Sequence, residues 1–96
     1  MASREDQEKR IKKAIAKIAA GPRSVLFEEI DWVMNHLRDD LGYRMERSGS
    51  NLHYTYVVGN LRPFRVCDHH KGQKEVKVCY VTEFLDRMFE LGLCED

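Results

Sequence analysis

The chain has 96 residues, and sixteen Lys and Arg balance sixteen Asp and Glu to a formal charge of zero. That length predicts one domain with a core of modest size. No apolar run approaches the ~20 residues of a bilayer-spanning helix, and the charged N-terminus has no hydrophobic signal region, so membrane and secreted classes are excluded and a cytoplasmic protein is expected.

Residues 3–20 read as a helix. Ser3 is a cap, with Asp6 three positions on and Glu5 and Glu8 in the first turns. Ile11, Ile15 and Ile18, with Ala14 and Ala19, form an apolar stripe at helical spacing, and Gly21-Pro22 stops it. Lys9, Arg10, Lys12, Lys13 and Lys17 lie on the other face. Such a face can meet a membrane or nucleic acid, but a solvated face over a narrow stripe is the commoner outcome. Residues 27–41 read as a second helix, with Ile30, Val33, Met34, Leu37 and Leu41 inward and Gly42 as its C-terminal cap. Trp32 falls off that stripe and is expected to pack against the first helix rather than meet a partner.

Three strands are predicted at about 43–48, 52–58 and 63–68. Ser48-Gly49-Ser50-Asn51 reads as the first turn and Gly59-Asn60 as the second. Short links imply an antiparallel meander. Leu52, Tyr54, Tyr56 and Val58 share the core face of the middle strand, while His53, Thr55 and Val57 take the other. A basic loop follows at 69–77, then a helix from about 79 to 91 with Val81, Phe84, Leu85 and Met88 inward. The class is α+β, with helices on one face of the sheet and the other face open to a partner.

Charge is segregated. Residues 43–77 carry Arg44, Arg47, Arg62, Arg65, Lys71, Lys74 and Lys77 against Glu46, Asp68 and Glu75, with His53, His69 and His70 in the same stretch. Residues 27–41 carry five acids against Arg38. A local anion site can form on a neutral protein in this way, although any single lysine more commonly coats a surface. Cys67, Cys79 and Cys94 are odd in number and unpaired in spacing, which fits a reducing compartment. Cys67, His69, His70 and Cys79 do not follow a regular zinc spacing. The two histidines read first as loop residues near lysines, so no metal and no cofactor are expected.

Several stretches together resemble the HicA-type toxins of toxin–antitoxin pairs. Val25-Leu26-Phe27-Glu28-Glu29-Ile30 opens a short helix that ends at Leu41-Gly42-Tyr43. Arg47-Ser48-Gly49-Ser50-Asn51-Leu52-His53-Tyr54-Thr55-Tyr56 is similar to the family's Gly-Ser-His and its aromatic strand. His69-His70-Lys71-Gly72-Gln73-Lys74-Glu75-Val76-Lys77 resembles its basic loop, and Tyr80-Val81-Thr82-Glu83-Phe84-Leu85 the start of its last helix. The resemblance covers about residues 25–92. It implies a double-stranded-RNA-binding-like α-β-β-β-α domain over 23–96, preceded by an extra helix and linker over 1–22. It also implies metal-independent cleavage of mRNA, neutralised by a HicB-like antitoxin. The family's histidine follows its serine directly, whereas Asn51 and Leu52 intervene here. The spacing to the later aromatic assigns the catalytic role to His53, with Asn51 the other possible equivalent.

The expected RNA-binding residues are Gly49, Ser50, Arg65, His70, Lys71, Lys74 and Lys77. RNA carries its own 2′-OH nucleophile, so one imidazole can remove that proton or protonate the leaving oxygen, and lysines can offset the developing charge. On pattern alone, His53 is an edge histidine without a task, and the resemblance reverses that order. Two alternatives stand beside a nuclease: a non-catalytic RNA-binding or partner-binding module, and a structural protein whose open sheet face docks another chain.

Overall fold

A computed structural model describes residues 3–50, 53–67 and 75–94. The order is α1 (Arg4–Ala20), a 3-10 turn (Pro22–Ser24), α2 (Phe27–Asp39), β1 (Met45–Ser50), β2 (His53–Val58), β3 (Phe64–Cys67) and α3 (Val78–Glu90). The class is α+β, an α-β-β-β-α layout with one extra helix in front. Among the described residues no helix is long and apolar enough to cross a membrane.

The caps act as the sequence implies. The Ser3 hydroxyl accepts from the Asp6 N–H at 3.2 Å. Gly42 at φ +74 reverses the chain after α2, and the Tyr43 N–H donates to the Leu37 carbonyl at 3.0 Å. That bond satisfies a carbonyl that the helix end leaves open. Ile11, Ile15 and Ile18 are buried in the same core as Val33, Met34, Tyr56, Phe84 and Met88. Ala19, expected on the stripe, is exposed, because the contact surface of α1 follows the three isoleucines. Trp32 is half-buried, stacks on His36 and lies 6.0 Å beneath the Arg10 guanidinium of α1.

The sheet is an antiparallel meander in the order β1-β2-β3. Its inner face meets the helices: the Phe64 ring lies 5.4 Å from Tyr56 and 6.1 Å from Phe84 of α3. A short bridge, Leu26 with Glu75, ties the chain before α2 to the chain before α3.

The first turn differs from the sequence reading. Ser48, Gly49 and Ser50 belong to β1, and Ser50 pairs directly with His53. The link is residues 51 and 52, which lie outside the described residues. Gly49 is the reason the strand continues. It pairs with Tyr54 at φ +118, and a Cβ there would stand 2.1 Å from the His53 carbonyl oxygen. Only glycine fits so close an approach at that φ. Gly49→Ala is therefore expected to cost ~1–3 kcal/mol, read as a lowered urea midpoint. Gly21→Ala, where φ is −136 and no atom lies within 4 Å, should leave the midpoint unchanged or raise it.

Candidate functional site

Alternation along β2 decides which side chains face solvent. Tyr56 is fully buried, and Tyr54 packs half-buried with its ring 5.0 Å from Phe27. His53 has the opposite parity and is exposed. Across the three strands the register aligns Ser50, His53 and Cys67 in one row, and Ser48, Thr55 and Arg65 in the next. The Gly-Ser pair, the histidine and Arg65 thus share one end of the hairpin and one neighbourhood.

The hairpin is pinned from its inner side. Asp31 of α2 accepts from the Tyr56 hydroxyl at 2.7 Å and from the Arg47 guanidinium at 2.9 Å. Arg47 also covers the Tyr54 ring at 5.2 Å. Burial, and then the hydrogen bond to the Asp31 carboxylate, push the Tyr56 hydroxyl far above its ordinary pKa. It therefore stays a proton donor, and the strand that carries His53 stays fixed to the helix layer.

This network spends part of the basic charge. Arg47 pairs with Asp31 and Arg44 pairs with Glu46 at 3.0 Å. Arg62 and Arg65 enter no ion pair among the described residues. Both line a groove of about 400 Å³ between β3 and α3, together with Tyr80, Glu83 and Arg87. Arg87 is only 4 % exposed. It is committed to structure: it donates to the Arg62 carbonyl at 2.8 Å and the Pro63 carbonyl at 3.3 Å, and pairs with Glu83 at 2.9 Å. Lys77 is exposed at the N-cap of α3. His70, Lys71 and Lys74 lie outside the described residues, as do His69 and Asn51. Among the described residues no group of three or more His, Cys, Asp or Glu side chains is placed to hold a metal ion.

The sequence reading gives Cys67 no role beside His53. Cys67 lies directly opposite it, 2 % exposed, with Sγ 3.0 Å from the imidazole Nδ1. Tyr80, in the first turn of α3, has its pKa raised above the ordinary value, first by hydrogen bonding to Cys67 and then by its charge. Strand parity was the available signal, since Cys67 shares the face of Arg65.

The outer sheet face thus carries an exposed imidazole whose Nδ1 side is occupied, beside an arginine and a polar groove. Such a site can move a proton at a phosphodiester. Compared with known proteins, the chain matches no family model, no curated protein and no solved structure.

Proposed function

We propose that this chain is a toxin-type endoribonuclease that cleaves mRNA without a metal, with His53 as its proton-transfer residue. The observation that carries the reading is the register of the hairpin. It sets an exposed His53 directly across from Ser50 of the Gly49-Ser50 pair, with Arg65 on the same face. Ser50 and His53 pair across the hairpin although two residues intervene in the sequence. The resemblance to HicA-type toxins joins that geometry to a chemistry.

The reaction asks little of the protein. The substrate's 2′-OH attacks the adjacent phosphorus, a 2′,3′-cyclic phosphate forms, and the 5′ oxygen leaves. An imidazole beside the phosphate serves as base toward the first oxygen or acid toward the second. Arg65 and Lys77, with Lys71 and Lys74 shortly before Lys77 in the sequence, offset the charge on the phosphoryl oxygens. In this reading the outer face is also what a HicB-like antitoxin covers, and both act in the cytoplasm. The test is to incubate the purified chain with mRNA in excess chelator and examine the ends. Cyclic phosphate termini support the reading. RNA that is bound but uncut gives way to the binding-module reading.

Phosphate contact has its own readout. Replacing Arg65 and Lys77 together by alanine should weaken RNA binding and flatten the plot of log affinity against log salt by roughly 1–2 in slope, since each phosphate contact on single-stranded RNA contributes ~0.7. An unchanged slope moves the RNA to the lysines of α1.

A further inference from the structure

Cys67 is a buried thiol whose sulfur lies 3.0 Å from the ring of an exposed histidine. We infer that Cys67 is a positioning residue for His53: its thiol holds the ring by Nδ1, turns Nε2 toward the substrate, and commits the ring to the acid role. The catalytic part of this inference rests on the nuclease reading above.

The Cys67 sulfur is buried and lies 3.0 Å from Nδ1. A thiol carries one hydrogen that it can donate, and Nδ1 is the ring nitrogen that faces it. A neutral imidazole that accepts at Nδ1 carries its hydrogen on Nε2.

The proton balance closes. Nε2 gives its hydrogen to the departing 5′ oxygen. The thiol hydrogen moves from Sγ to Nδ1, so the ring remains neutral. The negative charge rests on sulfur. Afterwards Nδ1 returns its hydrogen to sulfur and water supplies one to Nε2, which restores the starting state. The proton of the attacking 2′-OH goes to another acceptor, since Nε2 holds no lone pair in this state.

The test is ring-nitrogen NMR on the full chain, above neutral pH, alongside RNA cleavage. Wild type should show His53 with Nε2 protonated and Nδ1 bare. Cys67→Ala should mix the two tautomers and slow cleavage about tenfold, the worth of one hydrogen bond, and Cys67→Ser, whose hydroxyl can donate to Nδ1, should restore the wild-type spectrum and rate. A wild-type ring protonated at Nδ1 overturns the inference, as does a spectrum indifferent to Cys67→Ala. If wild type cuts no RNA, the nuclease reading fails while the ring signals still decide the positioning.

Discussion

His53→Ala is expected to lower RNA cleavage by ~10²–10⁴, the contribution of a positioned acid or base. The effect should fall on chemistry and not on folding. His53 is exposed on the outer face of the sheet, and an ordinary surface substitution changes stability by no more than ~0.5 kcal/mol. Urea midpoints of the two proteins should therefore coincide while their rates separate. RNA affinity should also persist, because Arg65 and the loop lysines remain. Asn51→Ala is the matched control, since Asn51 directly follows the Gly-Ser pair. Loss of activity in Asn51→Ala with retention in His53→Ala would transfer the catalytic role to Asn51.

The largest effect on stability is expected for Phe84→Ala. Phe84 is fully buried in α3 with its ring 6.1 Å from Phe64 of β3. Removing a buried phenyl ring costs ~3–5 kcal/mol in transfer and cavity terms. A domain of this size has ~5–15 kcal/mol in total, so a large share of the stability should vanish. Thermal or urea unfolding measures it. Phe89→Ala on the same helix, 54 % exposed, should stay within ~0.5 kcal/mol of wild type. Equal losses at the two positions would mean that the core does not close over α3 in this way.

Much of the fold was legible because its signals are local. Isoleucines three and four apart in α1, the stripe of α2 and the glycines at 42 and 59 each encode their element within a few residues. The side of the sheet that His53 occupies was legible too, since parity along β2 needs only the tyrosines at 54 and 56. The first turn was misplaced by three residues because Ser48-Gly49-Ser50 has turn composition. Its glycine serves instead a close backbone approach within a strand, and that approach exists only once β2 lies beside it.

What the sequence determined by itself was the alternation that exposes His53 and buries Tyr56, together with the helical stripes that cover the inner face. The tertiary structure decided what touches the imidazole. A two-residue link at 59 and 60 would set His53 opposite Val66; the observed pairing, one residue longer, sets it opposite Cys67. A slip of one residue exchanges every partner for one on the other face, so the Cys67 contact depends on the whole β2–β3 ladder. Tyr80 comes to the groove beside Arg65 from α3, a helix whose Phe84 packs against Phe64 of β3. The charge pattern divides in the same way: composition marks 43–77 as basic, but Asp31 and Glu46 neutralise Arg47 and Arg44. Of the four arginines in that stretch, folding leaves Arg62 and Arg65 to face the groove.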